Sequence, residues 1–181
     1  MSRFRLATVT AALALLAATG LLTTASPASA GVADLTCVPP SSTTITYSPP
    51  LTLAPQTVNV NINNQYGPCV SPSHPAVTSG SAVLNFNATR SCLDLLAPSS
   101  ASWTITWNTG QTSTLTGNAV NTVVGAAIVT VFTGNVSSGL FAGDSVVLNF
   151  TAPAASILLC TAGLGTVPGY YGATTLTITS L

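Results

Sequence analysis

Few residues in this chain could carry catalysis. Beyond residue 30 the histidine, arginine and acidic side chains number five, and the whole sequence has no lysine or glutamate. The five are Asp34, His74, Arg90, Asp94 and Asp144. Nucleophilic catalysis needs a histidine held by an orienting acid, but His74 lies between Pro72 and Pro75, a pattern typical of a solvated loop. We therefore expect no catalytic residue and no enzyme activity.

The three aspartates suit local structural roles better than acid–base chemistry. Asp34 lies near the expected start of the mature chain, and Asp144 follows Gly143 in a predicted turn. Asp94 follows Arg90 by four residues and can pair with it. Glycoside hydrolysis would need two carboxylates on either side of one bond, and this spacing predicts no such pair.

Four cysteines predict two disulfides, because an even number in an exported chain is typical of disulfide pairing. They are Cys37, Cys69, Cys92 and Cys160. Of the three possible pairings we favour 37 with 69 and 92 with 160, since Cys37 and Cys69 are placed symmetrically about a proline-rich hairpin turn at residues 49–55. A metal site is not expected, because the nearest candidate, Cys69 with His74, offers only two ligands. No cofactor is expected either.

Two tryptophans and two tyrosines are the candidate ligand-binding residues. Trp103 and Trp107 share one face of a predicted strand and stand ~13 Å apart at ~3.3 Å per residue, a spacing that suits two rings of an extended sugar chain. Tyr170 and Tyr171 on a Gly-Pro-rich loop would add a rim. Ile105 lies between the tryptophans on the same face, so a row of core side chains is the simpler interpretation.

Strict alternation of apolar and polar residues predicts the elements that position these side chains. We expect eight to ten antiparallel strands and no helix after the leader. The clearest are residues 57–63 and 102–107, with others at 43–47, 82–88, 111–116, 119–133 with a break at Gly125, 145–150, 157–160 and 174–179. Short strands separated by frequent turns favour an all-β, two-sheet antiparallel sandwich of immunoglobulin-like type, stapled by two disulfides.

The first thirty residues are predicted to be a cleaved secretory signal peptide. Arg3 and Arg5 precede an apolar stretch, and Ala28-Ser29-Ala30 is a typical cleavage pattern. Residues 31–181 then form a single domain without a membrane span, secreted and extracellular. One arginine against three aspartates leaves this part with a net charge of about −2 and no basic patch, which argues against nucleic-acid binding.

The order of these features resembles that of small secreted four-cysteine β-sandwich proteins of actinobacteria. The resemblance rests on the signal, the cysteine order, the Trp103-x-x-x-Trp107 strand, the glycine-bounded segment 134–143 and a closing threonine-rich strand. That group has no established function, so the resemblance implies export, disulfides and a sandwich but assigns no catalytic or binding residue.

An uncharged surface rich in threonine and asparagine has little electrostatic repulsion to keep molecules apart. We therefore expect a non-catalytic structural or interaction protein that acts at the cell surface or in the extracellular matrix. The expected partners are cell-wall or extracellular polysaccharide, or other copies of the chain. The alternative is a carbohydrate-binding module that uses Trp103 and Trp107.

Overall fold

The computed structural model describes residues 32–180. The predicted signal peptide, residues 1–30, lies outside the described residues. Within the described part, ten strands, one short α-helix and one 3₁₀ helix follow each other along the chain. The elements are β1 (Ala33–Cys37), β2 (Ser42–Leu51), β3 (Gln56–Tyr66), β4 (Cys69–Val70), β5 (Gly80–Arg90), the 3₁₀ helix Leu93–Leu96, β6 (Ser99–Trp107), β7 (Thr112–Val124), β8 (Ala127–Gly139), β9 (Ser145–Pro153), α1 (Ala155–Thr161) and β10 (Val167–Thr179).

Eight of these strands close into an antiparallel barrel. Their order is β2-β3-β5-β6-β7-β8-β9-β10, and β10 pairs with β2 to complete the circle. The two halves of β10 have different partners. Residues 167–173 pair with β2, and residues 173–179 pair with β9. The short strand β1 continues the line of β2 along the other end of β10, and β4 pairs with β1.

The prediction of an all-β fold is confirmed, but the prediction of a two-sheet immunoglobulin-like sandwich is wrong. Alternating apolar and polar residues satisfy a sandwich and a barrel equally, since both have one inner and one outer face. The two folds differ in whether the first and last long strands pair with each other. Here Ser42–Leu51 pairs with Val167–Thr179, a contact between distant parts of the chain that local patterns do not predict.

The barrel interior is filled by side chains from alternate positions, and two inward glycines make room for aromatic rings. Trp107 lies directly opposite Gly80, where an added Cβ would approach the indole Cε3 to 2.5 Å. On the other side of the barrel a Cβ on Gly172 would come within 2.6 Å of the Phe150 ring and still closer to the Thr151 carbonyl oxygen. Interiors are close-packed, so a methyl group at either position would displace the ring.

The predicted strand at residues 157–160 is instead part of α1. Ile157 and Cys160 are both fully buried, whereas Leu158 and Leu159 between them are exposed. Burial at positions three apart is the pattern of a helix face, but a run of four apolar residues is too short to distinguish a helix from a strand. The 3₁₀ helix Leu93–Leu96 was likewise not expected.

The structure confirms the predicted disulfide pairing. Cys37 of β1 and Cys69 of β4 face each other across a strand pair and are bonded, and Cys92 is bonded to Cys160 of α1. The second bond closes the larger loop, with a sequence separation of 68 residues against 32. It ties the segment that follows β5 to the helix that precedes β10.

The wall of the barrel is incomplete between β5 and β6. These strands pair through only two positions, Gly80 with Trp107 and Ser81 with Thr106. Beyond them, residues 82–90 of β5 pair only with β3, and residues 99–105 of β6 pair only with β7. The 3₁₀ helix connects the two strands at the wide end. We call this opening the seam.

Phe141 has a backbone conformation that is costly for a bulky residue. Its φ is 66°, in the left-handed region that favours glycine. The side chain is nonetheless buried, with its ring edge-on to Trp107 at 6.1 Å and to His74 at 5.3 Å. The packing of this ring at the end of the barrel offsets the backbone cost.

We therefore expect Phe141→Gly to be more stable than Phe141→Ala. Both variants lose the aromatic contacts, at about 3–5 kcal/mol. Glycine alone relieves the left-handed strain, which is worth about 1–2 kcal/mol. Urea unfolding measures both. As a control, Ala142→Gly, at a neighbouring position without a positive φ, should lose stability. If Phe141→Ala were the more stable variant, the left-handed conformation of Phe141 would be refuted.

Candidate functional site

An uncharged polar surface covers the outside of β2, β3 and β5. The strand register places Thr46 opposite Asn61, and Asn61 in turn opposite Asn85. In the neighbouring rows, Asn59 lies between Ser48 and Asn87, whereas Asn63 lies between Thr44 and the exposed Val83. We call this surface the amide face, and its residues are Thr44, Thr46, Asn59, Asn61, Asn63, Asn85, Asn87 and, from β10, Tyr171.

Hydrogen bonds between strands hold part of the amide face in place. The Asn59 side-chain amide donates to the Oδ1 atoms of Asn85 at 2.8 Å and of Asn87 at 3.1 Å. These contacts fix the orientation of three amides while leaving further donors and acceptors towards solvent. An ordered array of this kind can hydrogen-bond to a neutral, hydroxyl-rich ligand without charged groups.

Tyr170 and Tyr171 point to opposite sides of β10. Tyr171 lies opposite Thr44 on the amide face and is 59% exposed. Tyr170 points inward, with its ring 6.3 Å from that of Tyr47 and 5.9 Å from that of Phe150. Burial raises the pKa of Tyr170, which keeps its hydroxyl neutral. The two tyrosines therefore do not form one rim, and only Tyr171 offers an exposed ring.

The predicted tryptophan pair projects towards the barrel interior. Trp107 is 2% exposed, and its indole N–H donates to Ser113 Oγ at 2.8 Å. Trp103 is half-buried beside the seam, donates to the Tyr66 hydroxyl at 3.2 Å and packs on Phe132. Burial raises the pKa of Tyr66, so this hydroxyl stays neutral. Trp107 has no free face for a sugar ring, and the pair forms no common exposed platform.

His74 and Asp94 each make local contacts. His74 lies edge-on against Phe141, and its backbone N–H donates to Ser71 Oγ. Asp94 accepts hydrogen bonds from the backbone N–H of Ser91 at 2.7 Å and from its hydroxyl at 2.8 Å. Within residues 32–180, no three metal-ligating side chains cluster together.

Two carboxyl groups come into contact where β1 and β9 flank β10. The loss of water around Asp144, together with a hydrogen bond to Asp34 and the charge of that residue, raises the pKa of Asp144. Asp94 behaves oppositely, because the hydrogen bonds from Ser91 lower the pKa of Asp94. Repulsion from Asp34 is relieved when Asp144 binds a proton.

Sequence reasoning named Tyr171 as a candidate but missed the amide face. The alternation of Asn59, Asn61 and Asn63 was visible as the polar side of one strand. That Asn85 and Asn87 continue the same face depends on the register between β3 and β5. The signal was a second alternating stretch at residues 82–88, which would have had to be aligned with the first.

Comparisons with known proteins assign no function to this surface. No family model, curated protein or solved structure matches the chain. In the part of the chain that the structure describes, no helix is long and apolar enough to cross a membrane. The two disulfides are consistent with an exported protein.

The two aspartates should respond to pH with opposite signs. A raised pKa in the folded state stabilises the fold fully below the ordinary value of 3.8, and this contribution is lost as pH rises through the raised pKa. Asp144→Asn should therefore increase stability at neutral pH, by less than about 1 kcal/mol at this partly exposed site. The gain should disappear in acid, where Asp144 is protonated.

Asp94→Asn is the matched control with the reverse expectation. A lowered pKa stabilises the fold above the ordinary value of 3.8, and the contribution is lost as pH falls through the lowered pKa. This variant should lose stability at neutral pH, and the loss should also vanish in acid. Urea unfolding from about pH 3 to pH 7 measures both differences. An equal loss in both variants at neutral pH would contradict the assigned environments.

Proposed function

We propose that this chain is a non-catalytic exported protein that binds neutral material at the cell surface or in the extracellular matrix. The observation that carries the proposal is the amide face, an uncharged array of amides and hydroxyls with an exposed aromatic ring at Tyr171. Proteins use such groups to bind ligands that carry hydroxyls but no charge, since each hydrogen bond replaces one to water.

The geometry of the ionisable side chains supports a non-catalytic role. Asp34 and Asp144 lie near the Thr179 end of β10, away from the amide face, and their interaction raises the pKa of Asp144. His74 contacts an aromatic ring and has a backbone bond to Ser71, an arrangement that serves to shape a loop. Proton transfer to a substrate needs a better-placed pair.

A neutral polysaccharide is the ligand class that we favour. Sugar rings present an apolar face that packs on an aromatic side chain and equatorial hydroxyls that bond to amides. Tyr171 offers the ring, and Asn63 and Thr44 lie beside it in the same row across the strands. This assignment moves the stacking role from the tryptophan pair to Tyr171, because Trp107 is buried.

Tyr171→Ala should weaken binding to insoluble neutral polysaccharide by about tenfold, as expected for an aromatic contact worth about 1–2 kcal/mol. Tyr171→Phe should retain most of the binding, because it keeps the ring and removes only the hydroxyl. The measurement is the fraction of protein depleted from solution by cellulose, chitin and cell-wall preparations across a range of polysaccharide concentrations.

Val147→Ala serves as the control variant. Val147 is also an exposed strand residue, but it lies on β9, outside the amide face. Its substitution should leave binding unchanged. Tyr171 is largely exposed, so the alanine variant should remain folded, which circular dichroism can verify. Binding that is equal in all four proteins, or absent for every polysaccharide, would refute the role of Tyr171 and of the amide face.

A further inference from the structure

The seam leaves two strand edges unpaired. Among residues 32–180, nothing pairs with the side of β5 that faces β6 beyond Ser81, and nothing pairs with the facing side of β6 before Thr106. Free strand edges are templates for further pairing, and proteins usually block them with lysine, proline or a covering segment. Residues 82–89 of β5 contain no proline and no charged residue.

The hydrogen bonds at the end of the seam where β5 and β6 still pair determine which backbone groups face the opening. Asn108 N–H donates to Ser79 C=O, so odd-numbered residues of β5 direct their backbone groups towards β6. The groups that face the seam are therefore those of Val83, Asn85 and Asn87 on β5. By the same register, Ser102 and Thr104 present their groups from β6. None of these groups has a hydrogen-bond partner within the described residues.

Apolar side chains lie behind the opening. Leu84 and Phe86 of β5 belong to the inward-facing set, in step with the buried Ala82. Leu84 is only half-buried, however, and Phe86 is 41% exposed. Trp103 of β6, also inward-facing, is half-buried across the gap. The seam therefore combines unpaired backbone groups with apolar side chains that alternate between them.

Part of the β5 sequence occurs a second time in the chain, in a strand that has neighbours on both sides. The tetrapeptide Val-Leu-Asn-Phe occurs at residues 83–86 of β5 and again at residues 147–150 of β9. In both strands the leucine and phenylalanine face inward, yet Phe150 is 4% exposed against 41% for Phe86. The difference in structure is that β9 has a strand on each side, β8 and β10, whereas β5 has a partner on one side only at these residues.

The missing neighbour corresponds to β10. Even-numbered residues of β9 bond to β8, as the Val136 N–H to Asp144 C=O and Ala154 N–H to Ala126 C=O bonds establish, so odd-numbered residues bond to β10. In β5 the odd-numbered residues face the seam. A strand that filled the seam would therefore pair with β5 in the same way as residues 174–177 pair with β9. It would run antiparallel to β5, and its equivalent of Leu176 would lie opposite Leu84.

We propose that the seam binds an extended peptide segment, which adds to the edge of β5 as an additional antiparallel strand. The peptide would be uncharged, with small polar residues outward and aliphatic residues inward against Leu84, Phe86 and Trp103. Strand addition of this kind derives affinity from main-chain hydrogen bonds and specificity from alternate side chains. A single strand suits the seam, because β5 and β6 border it on both sides and pair with each other where it ends.

The test uses a synthetic peptide of residues 172–180, Gly-Ala-Thr-Thr-Leu-Thr-Ile-Thr-Ser, which is the strand that covers the motif in β9. The full chain is produced by export so that both disulfides form, and it is isotope-labelled for NMR of its backbone amides. The peptide is titrated into this protein. We expect saturable shifts at the amides of residues 83–89 and 100–104. A peptide with proline in place of Thr175 and Thr177, whose N–H groups would pair with β5, should not bind.

Two protein variants separate the inward contact from the outer surface. Phe86→Ala should weaken peptide binding about tenfold, because it removes the main inward contact of the seam. Val147→Ala, at the equivalent exposed valine of the repeated segment on β9 and outside the seam, should leave binding unchanged. Tyr171→Ala should also leave peptide binding unchanged, so failure of the polysaccharide proposal and failure of this one are distinguishable.

Three results would overturn the proposal. The first is absence of binding at millimolar peptide. The second is equal binding of the proline peptide, which would show that main-chain pairing is not involved. The third is self-association that protects the same amides without any peptide binding, which would identify a second copy of the chain as the occupant. The proline peptide leaves the protein unaltered, so this part of the test does not depend on how any variant folds.

Discussion

The pairing of β10 with strands on both of its sides is the contact on which the barrel depends. Residues 173–179 bond to β9 and residues 167–173 bond to β2, so one strand joins the last part of the wall to the first. Without the β2 contact the sheet would have two further free edges and an exposed inner face. The buried hydroxyls of Thr43 and Thr174 meet across this junction at 2.9 Å, and Thr43 also donates to Asn64 at 2.7 Å.

The sequence contained the local parts of this fold but not its closure. The alternation at residues 57–63 predicted the strand and its buried face, and the symmetry of Cys37 and Cys69 about one hairpin predicted their bond. Both depend on residues near each other in the chain. The choice between sandwich and barrel depends on β2 and β10, which are separated by more than one hundred residues. Loop closure over such a distance is decided by the packing of the whole core, which no local pattern encodes.

In the candidate site, too, local patterns predicted some features, whereas others depend on how distant strands pair. The period of two correctly placed Trp103 and Trp107 on one face, with Ile105 between them, and this face is the inner one. For Tyr170 and Tyr171 the period predicts only that the two point to opposite sides. Which of them is exposed depends on the pairing of β10 with β2, in which Tyr171 lies opposite Thr44. The amide face needed still more information, because its two halves belong to different strands and meet only in the correct register.

The repeated Val-Leu-Asn-Phe segment shows that the same strand sequence is buried to different extents in different surroundings. Complete burial of a phenylalanine stabilises a protein by about 1.5–3 kcal/mol, so exposure of Phe86 to the extent seen leaves on the order of 1 kcal/mol unrealised. Phe150 gains this stabilisation because β10 covers it. The cost at Phe86 arises where β5 and β6 no longer pair, along the stretch that ends at the 3₁₀ helix and the Cys92–Cys160 bond. The same missing strand pairing that exposes this inward-facing aromatic ring leaves a row of backbone groups available to a further strand.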